Sequence, residues 1–477
     1  MKRQDGVLMH VSSLPGEFST GDFGRGAYAF VDFLAECGFS YWQVLPFCVP
    51  DECASPYKSY SAFSGNPYFI DLNALYEEGL ITADEREAAK QKSPYLSEFE
   101  RLERERLPLL AKAAERFADF DAIEAFLEAQ PYIRRFCLFM AYKAANNDAP
   151  WRTWDTEKRC DKTYRTWAFA EYTFFTQWKR LKAYANEKGI KILGDIPIYV
   201  AYESADVFSE PHLFQLDEDN LPKAVAGVPP DYFSEDGQMW GNPLYDWDAI
   251  AKEGFGFWRS RIAHMLTLFD GVRLDHFRGF DTYYSIPYGA PNARSGKWCK
   301  GPGRALVKAI KEVAGDALIV AEDLGEMAPS VEKLLSYSGF PGMRVFQFGF
   351  LGDEESRHLP HNYGKNAVAY TGTHDNNTLL GYIWEVDPQT RRKIFDYVGF
   401  KGEDWRDGCE NVLRSVLASH ADLVIFPIQD ILLYGRDTRM NTPGVAEGNW
   451  AYRVTAEQLG SIDCRRLAYL NRLYGRA

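Results

Sequence analysis

The fold can be predicted from the stretch Gly271-Val272-Arg273-Leu274-Asp275-His276-Phe277-Arg278-Gly279. It begins as an apolar run behind a turn and ends in a polar cluster, which fits a β-strand followed by a loop. On a strand, side chains two apart share a face, so Arg273 and Asp275 should lie together. A guanidinium beside a carboxylate favours the charged form. From this stretch alone, a structural ion pair at a strand end is the safer interpretation.

The composition is that of an acidic globular protein. The 477 residues carry a net charge of -13, with 46% hydrophobic and 25% charged residues. Nucleic acids and anionic membranes select basic patches, so this charge argues against both as partners. No apolar run approaches the roughly 18 residues of a membrane span. Asp5, Gly6 and His10 interrupt any signal-peptide core, so we expect a cytoplasmic protein.

The eight cysteines predict free thiols rather than a disulfide framework. Cys48 and Cys53 are the only pair close in sequence, and no Cys-x-x-Cys motif occurs. Cysteines of cytoplasmic proteins are mostly reduced, and free cysteines are commonly buried. We therefore expect reduced and mostly buried thiols.

Eight strand-like segments alternate with helical patterns along the chain. Several are continuous apolar runs, as expected for strands buried on both faces of a parallel sheet. The segments are 6–11, 41–46, 190–200, 271–277, 318–324, 343–350, 367–374 and 423–428. Helical patterns cover residues 27–37, 172–187, 257–268, 304–313, 331–337 and 390–398. This alternation predicts an α/β fold, the (β/α)8 TIM barrel.

Two connections of the predicted barrel are too long for simple crossovers. Residues 47–189 carry helical patterns and are interpreted as a mainly helical insertion. Residues 201–256 are rich in Gly, Pro and aromatic residues and are interpreted as a loop-rich insertion over the active-site cleft. Fewer than 50 residues follow the eighth strand, so we expect no C-terminal β domain. The chain 1–477 is thus predicted to be a single catalytic barrel with inserted subdomains.

Acidic residues end three of the predicted strands. They are Asp275, the neighbours Glu322 and Asp323, and Asp375. Catalytic groups of such barrels lie at these strand ends. Two carboxylates across a sugar are the minimum for cleaving a glycosidic bond, one as nucleophile and one as general acid. A single acid here is commonly a helix N-cap, but three favour catalysis. Alternation does not choose between Glu322 and Asp323.

Several motifs follow one another in a fixed order over almost the whole chain. The main ones are Gly194-Asp195-Ile196-Pro197-Ile198-Tyr199, Arg273 with Asp275, Glu322, and His374-Asp375. Others are His10-Val11-Ser12-Ser13-Leu14-Pro15, Ser55-Pro56-Tyr57, Gly227-Val228-Pro229-Pro230-Asp231-Tyr232-Phe233, Trp240-Gly241-Asn242-Pro243 and Arg439-Met440-Asn441-Thr442-Pro443-Gly444. The first set resembles the four signature regions of the α-amylase superfamily. The rest resemble one branch, the amylomaltases or disproportionating 4-α-glucanotransferases of glycoside hydrolase family 77.

The resemblance implies a retaining mechanism with three catalytic acids. Asp275 would be the nucleophile that forms a covalent glucosyl-enzyme, Glu322 the general acid and then base, and Asp375 a stabiliser of the transition state. The implied substrate-binding residues are Tyr57, Asp195, Arg273, His374, Tyr232, Phe233, Trp240, Asn242 and Asn441. No cofactor and no metal is implied, since the His usual after Asp195 in amylases is absent.

Each binding residue also has a structural interpretation. Tyr57 could be loop packing, and Asp195 could serve only to pair with Arg273. The residues Tyr232, Phe233, Trp240 and Asn242 are expected in a lid over the groove, but a self-packed surface loop explains any one of them equally well.

The implied activity moves α-1,4-glucan segments from a donor to an acceptor malto-oligosaccharide or glucose, with glucans derived from starch or glycogen as partners. One alternative is a retaining α-1,4-glucan hydrolase, in which water takes the intermediate. A non-catalytic glucan-binding protein is a weaker alternative, because a binding groove has no need for all three acids. A metal-dependent barrel enzyme is disfavoured, since the eight histidines form no pattern with ligand spacing.

Overall fold

A closed barrel of eight parallel strands lies at the centre of the molecule. The computed structural model of the chain describes residues 2–50, 54–230, 235–325, 327–445 and 447–477. Strands of the described part are β1 (Gln4–Leu8), β2 (Tyr41–Gln43), β3 (Lys191–Ile196), β4 (Ala224–Val228), β5 (Gln238–Pro243), β6 (Gly271–Leu274), β7 (Thr282–Pro287), β8 (Lys297–Lys300), β9 (Leu318–Ala321), β10 (Gly342–Val345), β11 (Ala367–Tyr370) and β12 (Leu423–Pro427). The barrel order is β1-β2-β3-β6-β9-β10-β11-β12, closing on β1. The predicted TIM-barrel fold is confirmed.

The eight predicted barrel strands are all present, but each ends earlier than predicted. The residues after β6 and β10 form 3₁₀ turns, Phe277–Phe280 and Phe346–Phe350, with buried apolar side chains. Apolar runs continue through these turns because the turns are buried. Hydrophobicity alone therefore could not mark the strand ends.

The barrel strands bury both of their faces. The interior is filled by Leu8, Tyr41, Leu193, Val320, Met343, Val345, Val368, Tyr370, Leu423 and Ile425. Val272 and Leu274 of β6 instead pack in the larger core that includes the surrounding helices. Between them, Arg273 points inward, where its Nε donates to Met343 Sδ at 3.4 Å. The predicted alternation along β6 is confirmed, since Arg273 also pairs with Asp275.

Helices surround the barrel and fill the connections. Those of the described residues are α1 (Arg25–Glu36), α2 (Leu72–Glu77), α3 (Ala83–Ala88), α4 (Phe99–Arg116), α5 (Phe120–Ala129), α6 (Pro131–Ala145), α7 (Asp161–Glu187), α8 (Ala205–Ser209), α9 (Trp247–Lys252), α10 (Gly256–Leu268), α11 (Arg304–Ala314), α12 (Pro329–Ser338), α13 (Leu379–Glu385), α14 (Pro388–Tyr397), α15 (Trp405–Ala418), α16 (Ile428–Ile431), α17 (Ala456–Gly460) and α18 (Cys464–Leu473). All six predicted helices occur among them. No helix in this part of the chain is long and apolar enough to cross a membrane.

The connection between β2 and β3 is mainly helical and joins the barrel through its last helix. It contains α2 to α6 and ends in α7, which is 27 residues long. On α7, the ring of Trp178 packs against Phe47 at 4.6 Å between centroids and against Trp42 of β2. Trp178 Nε1 also donates to the carbonyl of Leu268 at 2.9 Å. The helical connection is therefore anchored to the barrel wall.

The connection between β3 and β6 contains more regular structure than the predicted loops. Its strands β4 and β5 form an antiparallel sheet with β7 and β8, in the order β5-β4-β7-β8. β7 and β8 follow β6 in the sequence, so the two halves of this sheet are separated by a barrel strand. A short strand whose partner lies so far along the chain gives no local signal. We call this four-stranded sheet the lid sheet.

The prediction that the cysteines are reduced is wrong for Cys37 and Cys464, which form a disulfide. Cys37 caps the C-terminal end of α1, and Cys464 is the first residue of α18. The two are 427 residues apart, and barrel closure brings their helices together. Sequence spacing could not reveal this pair. The thiols of Cys48, Cys137 and Cys409 are free and buried, as predicted.

Candidate active site

Five polar residues converge at the carboxyl ends of four barrel strands. Asp195 lies near the end of β3, Arg273 on β6 and Asp275 directly after it, Glu322 directly after β9, and Asp375 in the loop after β11. Carboxyl ends of parallel strands meet at one rim of a barrel, where the loops that follow build a site. Every strand end that the sequence analysis singled out contributes to this rim.

A buried guanidinium links two of the carboxylates. Arg273 Nη1 donates to both oxygens of Asp195, at 2.8 and 2.9 Å, and its Nη2 lies 3.0 Å from Asp275 Oδ1. The side chains of Asp195 and Arg273 are 0% and 5% exposed, whereas that of Asp275 is 27% exposed. Arg273 therefore fixes Asp275 in place while leaving it open to the cleft.

The second candidate acid, Glu322, is held by the main chain. Its Oε2 accepts the N–H of His276 at 2.7 Å, and its Oε1 accepts the N–H of Leu324 at 2.9 Å. Burial raises the pKa of Glu322 to about 7, and the nearby negative charge of Asp275 adds to this effect. The positive charge of Arg273 and the two N–H donors oppose it. A carboxyl that titrates near neutral pH can both give and take a proton.

Glu322 and its neighbour Asp323 have different surroundings. Asp323 is completely buried and accepts the N–H of Met343 at 2.6 Å. The guanidinium groups of Arg344 and Arg357 also bind its Oδ2, at 3.0 and 3.2 Å. Both carboxyl oxygens of Asp323 are therefore engaged within the protein. Glu322 lies close enough to Asp275 for the negative charge of Asp275 to act on it.

The third acid is built into a loop network. Asp375 Oδ1 accepts Asn441 Nδ2 at 2.6 Å and lies 3.4 Å from His374 Nε2. The carbonyl of Asp375 accepts Arg439 Nη2 at 2.6 Å. The main-chain N–H of Asn441 donates to the carbonyl of His374 at 3.1 Å. The segment after β12 thus holds the loop after β11, and Asn441 lies beside Asp375.

An aromatic cluster lies on the other side of Asp195. The Tyr57 hydroxyl donates to Asp195 Oδ2 at 2.7 Å, and the Tyr57 ring stacks on His374 with centroids 5.1 Å apart. Trp450 lies within 6 Å of both rings, at 5.8 and 5.9 Å. Burial raises the pKa of Tyr57 well above its usual range, so the hydroxyl stays protonated. These rings form an apolar wall suited to a sugar face.

The residues predicted for the lid are placed differently from one another. Trp240, on β5, packs its ring edge-on to the ring of His276 at 5.0 Å. Asn242 is buried, and its Nδ2 donates to the carbonyl of Val200 at 2.9 Å. This amide nitrogen therefore makes a structural hydrogen bond. Tyr232 and Phe233 lie outside the described residues.

Three further residues of the site were missed by the sequence analysis. Met343 accepts a hydrogen bond from Arg273, His276 binds Glu322 through its main chain, and Trp450 joins the aromatic cluster. Trp450 follows Asn449 in a loop, so its loop aromatic character was a usable signal. A main-chain contact and a sulfur acceptor leave no sequence signal. Among the described residues, no group of three or more acidic, His or Cys side chains could hold a metal ion.

Comparison with known proteins identifies the family. The family model described as 4-alpha-glucanotransferase, for glycoside hydrolase family 77, matches residues 9–458. The 4-alpha-glucanotransferase of Streptococcus pneumoniae is 41% identical over 495 residues, which cover 100% of this chain and 98% of that protein. The 4-alpha-glucanotransferase of Thermus thermophilus is 42% identical over 492 residues, covering 98% of each chain.

A solved structure agrees with these sequence matches. The structure of the amylomaltase from Streptococcus agalactiae in complex with acarbose is similar, with a TM-score of 0.96 and 37% identity. The match covers 100% of both chains. These findings favour a transferase over the hydrolase alternative. With its barrel, its three rim acids and a family match over nearly its whole length, the chain belongs to the 4-alpha-glucanotransferases of glycoside hydrolase family 77.

Proposed function

We propose that the chain transfers α-1,4-glucan segments by a retaining mechanism, with Asp275 as nucleophile and Glu322 as general acid and base. The observation that carries this assignment is the contrast between the two carboxyl groups. Asp275 is paired with Arg273, whereas burial raises the pKa of Glu322 to about 7. Two carboxyl groups whose surroundings differ in this way can divide the roles of nucleophile and proton donor.

In the first step, Asp275 attacks the anomeric carbon of the donor glucan. Glu322 gives its proton to the glycosidic oxygen as the C–O bond breaks, and the part of the glucan on the reducing side leaves. The bond formed is an ester between the Asp275 carboxyl group and the sugar. Arg273, which lies 3.0 Å from Asp275 Oδ1, orients the attacking carboxylate.

In the second step, Glu322 works in the opposite direction. Its carboxylate takes the proton from the acceptor hydroxyl, whose oxygen attacks the anomeric carbon and releases Asp275. The same geometry serves both steps because the sugar that leaves in the first step and the acceptor of the second step both react through a hydroxyl oxygen. Asp375, held by Asn441 at 2.6 Å, is placed to bind sugar hydroxyls as the ring flattens in the transition state.

The donor sugar is proposed to bind among Tyr57, Asp195, Arg273 and His374. Tyr57 and His374 offer ring faces, and the carboxylate and guanidinium offer hydrogen-bonding groups. Trp450 extends this wall. A hydrogen bond from a sugar hydroxyl to a charged group contributes about 1.5–3 kcal/mol. Removal of either charged group should therefore slow turnover.

Transfer requires an acceptor that is held in line and a site that excludes water. We propose that the insertions at 47–189 and 201–256 provide this cover, with Trp240, Asn242 and the predicted lid residues Tyr232 and Phe233 on the acceptor side. The position of Trp240 against His276, the residue after the nucleophile, supports this placement.

The proposed partners are malto-oligosaccharides, glucans derived from starch or glycogen, and glucose as an acceptor. The acarbose in the structure of the Streptococcus agalactiae amylomaltase supports a glucan-like ligand. The net charge of -13 supports the absence of nucleic-acid and membrane partners.

We also propose that the protein works in the cytoplasm. Free cysteines at Cys48, Cys137 and Cys409 fit a reducing compartment, but the Cys37–Cys464 disulfide points the other way. Cell fractionation, with alkylation of free thiols before lysis, would test this location.

Incubation with maltotriose tests the proposed activity. A transferase yields glucose together with maltopentaose and longer chains, while the number of reducing ends stays nearly constant. Chromatography and a reducing-sugar assay measure both quantities. Reducing ends that climb steadily, with no product longer than the substrate, would indicate a hydrolase. Unchanged maltotriose would favour the non-catalytic binding protein.

A further inference from the structure

The end of β6 and the turn after it hold the general acid at three points. His276 N–H donates to Glu322 Oε2 at 2.7 Å. The main chain of Glu322 is held as well: its N–H donates to the carbonyl of Leu274, the last residue of β6, and its carbonyl accepts the N–H of Phe277 in the turn, both at 3.0 Å. The turn that carries the nucleophile therefore also fixes the proton donor.

His276, at the middle of this turn, has a left-handed main chain with φ 49° and ψ 52°. Residues other than glycine rarely adopt this conformation, and they keep it only where their surroundings impose it. The dihedral angles of residue 276 set the direction of its own N–H relative to that of Phe277. Both hydrogen bonds to Glu322 therefore depend on the left-handed conformation.

The side chain of His276 packs rather than carrying charge. Its ring lies at 90° to the ring of Trp240, with centroids 5.0 Å apart. Burial lowers the pKa of His276 to about 4, so the ring is neutral at pH 7. Trp240 belongs to β5 of the lid sheet. The ring thus joins the lid sheet to the turn that holds Glu322.

We propose that His276 is a positioning residue for Glu322: its left-handed main chain directs an N–H at Oε2. This inference rests on the proposed function, in which Glu322 exchanges a proton with the substrate. An N–H donor favours the ionised form of a carboxyl group. It therefore opposes the effect of burial and keeps the proton of Glu322 transferable in both directions.

Other charged groups also face this carboxyl group. Arg273 and Asp275 act on it from β6 and its end, and Arg357 contributes a positive charge from the loop after β10. The ring of His276 is faced by Asp275 and Arg278. Substitutions at position 276 leave all of these groups in the chain, so the effect of the N–H can be separated from theirs.

The test compares His276→Asn with His276→Val. Both substitutions remove the imidazole ring, but asparagine tolerates the left-handed conformation and the β-branched valine does not. The readout is the high-pH limb of kcat/KM for maltotriose disproportionation. We expect this limb in His276→Asn to stay within about 0.3 pH units of the parent protein. In His276→Val it should move up by about one unit, because the ionised form of Glu322 loses a donor.

A common shift in both variants, or no shift in either, would overturn the proposal. Circular dichroism verifies that each variant folds. If His276→Val does not fold, His276→Gly and His276→Ala provide the same comparison, because glycine adopts the left-handed conformation readily and alanine does not. Glu322→Gln distinguishes failure of the proposed role of Glu322 from failure of the proposed role of His276. If Glu322→Gln keeps full activity, the proposed role of Glu322 is wrong. If Glu322→Gln is inactive while the high-pH limb of kcat/KM in His276→Val does not move, only the role of His276 is wrong.

Discussion

Removing one partner of the buried ion pair between Arg273 and Asp195 should be costly, and Arg273→Met tests this. The substitution keeps a chain of similar length but removes the guanidinium that donates to both oxygens of Asp195. The Asp195 side chain is 0% exposed, so water cannot replace the lost partner. Removing one partner of a buried pair typically costs about 3–5 kcal/mol. The hydroxyl of Tyr57 still donates to Asp195 at 2.7 Å, so we expect about 3 kcal/mol.

The assay is urea unfolding of four variants: Arg273→Met, Asp195→Asn, the double variant and a control. Arg273→Met should lower the free energy of unfolding by about 3 kcal/mol, and the double variant with Asp195→Asn should recover about 2 kcal/mol, because no buried charge is left unpaired. Arg466→Met is the matched control, since the Arg466–Glu410 pair is exposed at 46% and 43%. Exposed pairs contribute about 0–1 kcal/mol. A cost below about 1 kcal/mol for Arg273→Met, or a double variant with fully additive costs, would refute this reasoning.

Three further predictions follow from single features of the structure. First, kcat/KM should fall above about pH 7 as Glu322 loses the proton that it must donate; a profile that stays flat to alkaline pH contradicts this role. Second, burial raises the pKa of Asp5 well above its usual value, so its contribution to stability is present at acid pH and is lost as pH rises through that raised pKa. Asp5→Asn should therefore gain stability relative to the parent as pH increases from 5 to 8, by up to about 1.4 kcal/mol per pH unit; an equal urea midpoint difference at both pH values speaks against it. Third, Cys37→Ser cannot form the disulfide, so under oxidising conditions its free energy of unfolding should be about 2–4 kcal/mol below that of the parent protein. Under reducing conditions the two proteins should be nearly equal in stability; the same difference under both conditions would mean that the disulfide does not contribute.

The parts of the fold that repeat along the chain were predictable. Continuous apolar runs such as Leu318–Ala321 mark strands buried on both faces, and the helical patterns between them gave the barrel. The lid sheet was not predictable, because β4 pairs with β7 although the barrel strand β6 lies between them in the sequence. For the same reason, the disulfide between Cys37 and Cys464 left no signal in their spacing.

In the candidate site, too, local features were predictable and contacts between distant residues were not. The position of Asp275 after an apolar strand, two residues beyond Arg273, predicted their ion pair correctly. Distinguishing Glu322 from Asp323 from the residues alone was not possible, because the arginines that bind Asp323, Arg344 and Arg357, lie more than 20 residues further along the chain. The hydrogen bond from the N–H of His276 could not be anticipated either, since nothing in the sequence marks a left-handed main chain at this histidine.

The central claim is that Asp275 forms a covalent bond to the donor sugar, and trapping that bond tests it most directly. In Glu322→Gln, α-maltosyl fluoride should still react, because fluoride leaves without a proton donor, and the intermediate should then persist without a general base. Proteolysis at low pH and mass spectrometry locate the sugar. We predict one maltosyl group on the peptide that contains Asp275, and none when Asp275→Asn is added. A maltosyl group on Asp375, or inverted products with no adduct, would contradict the mechanism.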